Sequence, residues 1–132
     1  MPSVYFAHDQ QESPGPRRLA LELAGYEVRC FTNGVALCEA LAQALPDVVV
    51  MDVLLEGRNG FDTCRTLRTK YKAASLPVIL TTPIYRSRAY KEEAEAAGAQ
   101  HYLLRPCQPE ELVYQVNQLA AGKPGSRHDR AA

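Results

Sequence analysis

The feature that most constrains this chain is Val48-Val49-Val50-Met51, an unbroken apolar run closed by a carboxylate, Asp52. Pro46-Asp47 breaks the segment before it. A run this short with no polar alternation reads as a strand covered on both faces, the position of a central parallel strand. Four more stretches read as strands: Val4 to Ala7, Glu27 to Phe31, Pro77 to Leu80 and His101 to Leu104. Parallel strands need crossovers, and the intervening segments have helical character.

Pro14 and Pro16 suit a late helix start, with Leu19, Leu23 and nearby alanines on the helix and Gly25 as its stop. Asn33-Gly34 opens a second helix marked by Leu37, Cys38, Leu41 and Leu45. Phe61, Cys64, Leu67 and Tyr71 mark a third. The fourth, roughly Arg86 to Ala97, has a thin apolar stripe, is expected to be the least firmly packed, and ends at Gly98. Leu112, Val113, Val116 and Leu119 form the fifth, with Pro109 near its start. Strand then helix, five times over, implies a parallel sheet with helices on both faces. Residues 1–121 read as one domain and 122–132 as a flexible tail or linker.

Several function classes lose support on composition. Lys+Arg and Asp+Glu are both 15, so no bulk positive field exists to hold nucleic acid or an anionic membrane. No apolar run reaches membrane-span length, and Met1-Pro2-Ser3 does not open a signal peptide. Cys30, Cys38, Cys64 and Cys107 lack CxxC spacing, so they read as reduced, mostly buried thiols of a cytoplasmic protein. The first strand-to-helix loop has one glycine, Gly15, and no GxGxxG or P-loop, which argues against a nucleotide- or flavin-using enzyme.

In such sheets chemistry gathers at the carboxyl ends of the strands. Those ends carry His8 and Asp9, then Asp52, then Thr81 and Thr82, then Arg105 before Pro106. Each has an ordinary explanation alone: a cap, a turn, β-propensity or surface charge. Together they make a coherent set. Clustered carboxylates bind a hard cation such as Mg²⁺, a carboxylate can act as nucleophile, and a hydroxyl with a side-chain cation can hold phosphoryl oxygens.

The ordered pieces Pro46-Asp47-Val48-Val49-Val50-Met51-Asp52, Gly60-Phe61, Leu76-Pro77-Val78-Ile79, and Gly98-Ala99 through Tyr102-Leu103-Leu104-Arg105-Pro106, with Gly25-Tyr26-Glu27-Val28, resemble the response-regulator receiver family of two-component systems over roughly residues 3 to 121. The resemblance implies a flavodoxin-like three-layer α/β/α sandwich, its five-stranded parallel sheet in the order 2-1-3-4-5. It implies Asp52 as phosphoacceptor, Asp9 in the acidic pair that holds Mg²⁺, and Leu54 as a backbone carbonyl ligand. Thr82 would be the switch hydroxyl, Tyr102 the switch aromatic, and Arg105 the phosphoryl-binding cation at the lysine position. A histidine kinase or phosphotransfer protein upstream, a downstream protein partner and a homodimer are the implied partners. The domain would not be an enzyme beyond self-phosphorylation from a phosphodonor and autodephosphorylation.

Departures from the family pattern point to an atypical member. His8 stands where a second acid belongs, which weakens Mg²⁺ and offers a ligand to a softer metal. Arg105 replaces a lysine, and its planar guanidinium can clamp Asp52. Leu55-Glu56 replaces Met-Pro. Pro83 after Thr82 removes a backbone donor, whereas Thr81 as the switch would leave Thr82 to supply it; strand length favours Thr82. These departures also suit a pseudo-receiver, a phosphorylation-independent interaction module.

Overall fold

A computed structural model describes residues 1–122. The strands are β1 (Ser3–Ala7), β2 (Glu27–Phe31), β3 (Val48–Asp52), β4 (Val78–Thr82) and β5 (His101–Leu104). The helices are α1 (Gly15–Leu23), α2 (Gly34–Gln43), α3 (Gly60–Arg68), α4 (Arg88–Ala97) and α5 (Pro109–Gly122). All strand pairs are parallel, and the sheet order is β2-β1-β3-β4-β5. This is the expected order. The expected tail at 122–132 lies, beyond Gly122, outside the described residues.

The pleat sorts the core into two layers, because successive strand residues face opposite sides. Tyr5, Ala7, Val49, Met51, Val78 and Leu80 pack with residues of α2, α3 and α4. Val4, Phe6, Val48, Val50, Ile79 and Leu103 pack with Leu21 of α1 and with Leu112 and Val116 of α5. Val48 to Met51 are all fully buried, each worth about 1.5–3 kcal/mol relative to exposure. A charged residue in that run would cost both the packing and the desolvation.

Local chemistry sets the helix ends. Asn33 caps α2 by accepting from the Ala36 N–H, and Asn59 caps α3 by accepting from the Asp62 N–H. Gly98 ends α4 in the left-handed conformation, φ 100°.

Some sequence markers do not face the core. Leu19 and Leu23 are exposed, and Leu21 is the one fully buried residue of α1. Leu45 is exposed and lies past the end of α2, whereas Tyr71, just past the end of α3, is partly buried and packs against the core. The fourth helix is thinly packed, burying only Ala94 and Ala97, but it is not the least firmly packed, because α1 buries a single residue. Of the four cysteines only Cys64 is fully buried, where its thiol faces the Ala97 carbonyl and burial pushes it up to about 11; the other three are half-buried.

Candidate functional site at the carboxyl edge of the sheet

Asp52 closes β3 with its side chain only 1% exposed. It continues the alternation of Val48 and Val50, so it belongs to the α1/α5 side of the sheet. His8 extends the Val4–Phe6 series to the same side. Thr81 follows Ile79, and Arg105 follows Leu103. Strand register places Thr81 opposite Asp52. Pleat parity therefore delivers His8, Asp52, Thr81 and Arg105 to one corner.

Asp52 meets two guanidinium groups there. Arg17, in the first turn of α1, donates from Nη1 to Oδ1 at 2.9 Å and from Nη2 to Oδ2 at 3.4 Å. The Arg17 guanidinium also lies 4.6 Å from the Phe6 ring centroid, a cation–π contact that fixes its plane. Arg105 Nη2 stands 3.6 Å from Oδ2, an ion pair without a hydrogen bond. The Asp9 backbone N–H donates to Oδ2 at 3.1 Å.

A second carboxylate closes the cluster. Glu12, on the loop between β1 and α1, accepts from Arg105 Nη1 at 2.6 Å and lies 3.9 Å from Arg17 Nη2. The Arg105 hydrogen bond holds the Glu12 carboxyl below its ordinary value, against the opposing push of partial burial. Arg105 Nε donates to Thr81 Oγ1 at 2.9 Å. The Arg105–Pro106 peptide bond is cis.

Thr82 is differently engaged. It follows Val78 and Leu80, so it belongs to the opposite side of the sheet. Its Oγ1 accepts from the Ile84 and Tyr85 N–H groups at 3.1 and 3.3 Å. Tyr102, on the same side, donates its hydroxyl to the Tyr85 carbonyl at 2.7 Å. Burial, with Tyr90, Glu93 and Tyr85 nearby, pushes that hydroxyl up to about 12. Thr82 and Tyr102 thus hold one loop from two directions. Neither hydroxyl is hydrogen-bonded to Asp52 or Arg105, although the Arg105 N–H donates to the Thr82 carbonyl at 2.9 Å.

The residues expected to hold Mg²⁺ are engaged by other groups of the protein. Asp9 Oδ1 accepts from the Gln11 N–H at 2.9 Å, and both Asp52 oxygens face guanidinium nitrogens. His8 is buried with its ring edge-on to Phe6; Nδ1 lies 3.0 Å from the Asp9 carbonyl, which can only accept, so Nδ1 carries the proton. Leu54 joins Asp9, Gln10, Gln11, Leu55 and Glu56 around an open cleft of about 360 Å³. Among the described residues no three His, Cys, Asp or Glu side chains converge as metal ligands.

Arg17 and Glu12 escaped the reading of the sequence. Both lie outside the strand ends, and only the return of α1 over β1 brings them in. The Thr81 contact with Arg105 did have a signal, because Thr81 shares the parity of Asp52 within its own strand.

The model of the response regulator receiver domain matches residues 6–117. The transcriptional regulatory protein GltR of Pseudomonas aeruginosa is 30% identical over 122 residues, which are 89% of this chain and 48% of that protein. The chain thus spans about half the length of that relative. A putative response regulator from Chloroflexus aurantiacus superposes with a TM-score of 0.83 at 32% identity, covering 92% of this chain and 99% of that one. The receiver domain of the sensor histidine kinase PA1611 from Pseudomonas aeruginosa, solved with a magnesium ion coordinated in its active-site cleft, shares the fold at 20% identity and a TM-score of 0.80, covering 91% of this chain and 98% of that one.

Proposed function

Because the chain belongs to the response-regulator receiver family, we propose that Asp52 is its phosphoacceptor and that its output is a regulated protein–protein contact. The observation that carries this reading is a buried carboxylate at the strand end facing two fixed cations. A phosphoryl group arriving there would meet charge already in place, which is how a site stabilises phosphoryl transfer. Asp52 would attack phosphorus as the P–N bond to a donor histidine, or the P–O bond to a small acyl phosphate, breaks. The electron pair leaves with the donor. The phosphodonor would be a histidine kinase, a phosphotransfer protein or a small acyl phosphate.

Thr82 and Tyr102 are proposed as the switch pair. Thr82 would release the loop at Ile84 and Tyr85 to bind the new phosphoryl oxygens, and the loop carries the hydroxyl of Tyr102 with it. The moving surface is α4, β5 and α5, where a downstream protein or a second copy of the chain would bind. The setting is cytoplasmic; no described helix is long and apolar enough to cross a membrane. The reading is tested by incubation with acetyl phosphate and intact-protein mass measurement. One added phosphoryl group on the wild type and none on Asp52→Asn is the expected result.

A second reading is favoured by the Arg17 fork. A carboxylate held on both oxygens is already in a charge-compensated state, which suits a pseudo-receiver that presents one fixed surface. That version predicts no phosphoryl gain, and partner binding that Asp52→Asn leaves intact.

A further inference from the structure

We propose that the Arg17 guanidinium takes the place of the divalent cation, so that the Asp52 site binds a tetrahedral oxyanion without metal. The inference rests on Asp52 being the phosphoacceptor position. Four observations carry it. First, Arg17 is anchored on three sides, by the two Asp52 oxygens, by the Phe6 ring and by Glu12. Its side chain is only 12% exposed, so the charge is fixed inside the site. Second, a divalent ion reaching Asp52 would have to displace this fork and then sit beside it, cation against cation. Third, the carboxylate donors such an ion needs are committed: Asp52 to Arg17, and Asp9 Oδ1 to the Gln11 N–H. Fourth, the other guanidinium, Arg105, holds Thr81 with Nε and Glu12 with Nη1. The two guanidiniums therefore already flank an anion, the Glu12 carboxylate.

Glu12 has a definite role in this scheme. It is a carboxylate on a loop, a third exposed, lying between two cations. It occupies them while the site is empty of external anion. An oxyanion on Asp52 adds negative charge and competes for the same guanidinium nitrogens, so Glu12 must swing outward. Planar guanidinium forks suit such oxygens because they can donate two bonds in parallel. Arg17 is thus a binding residue for the oxyanion, and Glu12 an internal competitor.

The test uses beryllofluoride, which forms a tetrahedral adduct on an aspartate oxygen, read by fluorine NMR on the whole chain. Protein and buffer are freed of magnesium and calcium before beryllium and fluoride are added, and parallel samples receive magnesium. The wild type is expected to bind equally in both. Arg17→Gln should weaken metal-free binding about tenfold or more, the loss of one charge-assisted pair, and Arg17→Lys should recover part of it. Glu12→Gln should bind several-fold more tightly, as expected for removal of a competing charge. Circular dichroism checks that each variant is folded. If Arg17→Gln does not fold, the wild-type magnesium comparison and Glu12→Gln decide the matter. Wild-type binding that requires magnesium overturns the inference and leaves the receiver reading standing. Equal metal-free binding by folded Arg17→Gln, or no tightening in Glu12→Gln, also overturns it. No adduct in either buffer overturns both the inference and the phosphoacceptor reading.

Discussion

Arg17 and Asp52 lie 35 positions apart in the chain, yet their side chains form a two-pronged ion pair at 2.9 and 3.4 Å between the first turn of α1 and the tip of β3. The pair ties a thinly packed helix to the central strand, since α1 otherwise buries only Leu21. Removing one partner leaves a charge in a place where water scarcely reaches. Arg17→Gln should therefore destabilise the fold by about 3 kcal/mol, the usual cost of breaking a buried pair from one side. Asp52→Asn combined with Arg17→Gln should recover part of that loss. Urea unfolding of the four proteins in the cycle measures it, and strictly additive losses would show that the two side chains are not coupled.

Gly60 opens α3 directly beneath the site. A Cβ there would lie 2.6 Å from the Asp52 carbonyl oxygen and 2.9 Å from the Val53 Cα, and both are backbone atoms that cannot step aside. Gly60→Ala should cost about 1–3 kcal/mol, as overpacking generally does. A melting temperature equal to that of the wild type would refute this close approach.

The Glu12–Arg105 contact predicts an acid-side dependence. Arg105 holds the Glu12 carboxyl below its ordinary value of 4.5. A lowered folded-state value means the contribution is fully present above about 4.5 and is lost as pH falls through the lowered value. The stability difference between wild type and Glu12→Gln should thus shrink below pH 4.5. Thermal melts of both proteins across that window measure it, and a gap that widens on acidification would contradict the assignment.

Tyr102 predicts the opposite sign at high pH. Its hydroxyl rises from 10.0 to about 12 because burial opposes the charged form. The contribution is whole below pH 10 and is lost as pH climbs toward 12. Tyrosinate absorbance should show a late-titrating component that Tyr102→Phe removes. If the titration of that variant matches the wild type, the hydroxyl is not held as described.

Much of this architecture was legible in the sequence, for identifiable reasons. Val48 to Met51 is apolar without interruption because β3 is covered on both faces, and the strand ends fall where the runs stop. Asp9, Asp52 and Arg105 were found that way. Arg17 was not, because its role depends on the angle at which α1 returns over Phe6, and no local pattern encodes that angle. Leu19 and Leu23 misled for a related reason: periodicity shows that a helix has an apolar side but not which residue touches the sheet. Thr81 and Thr82 are adjacent, so a motif count treats them as rivals. The pleat instead divides their work, one to the arginine and one to the loop.

The most direct measurement is chemical trapping of the acyl phosphate. The protein is exposed to acetyl phosphate, reduced with borohydride, and its peptides are mapped by mass. The account predicts reduction at a single residue, Asp52, and its disappearance in Asp52→Asn. Modification at another carboxylate, or none anywhere while the protein remains folded, would contradict it.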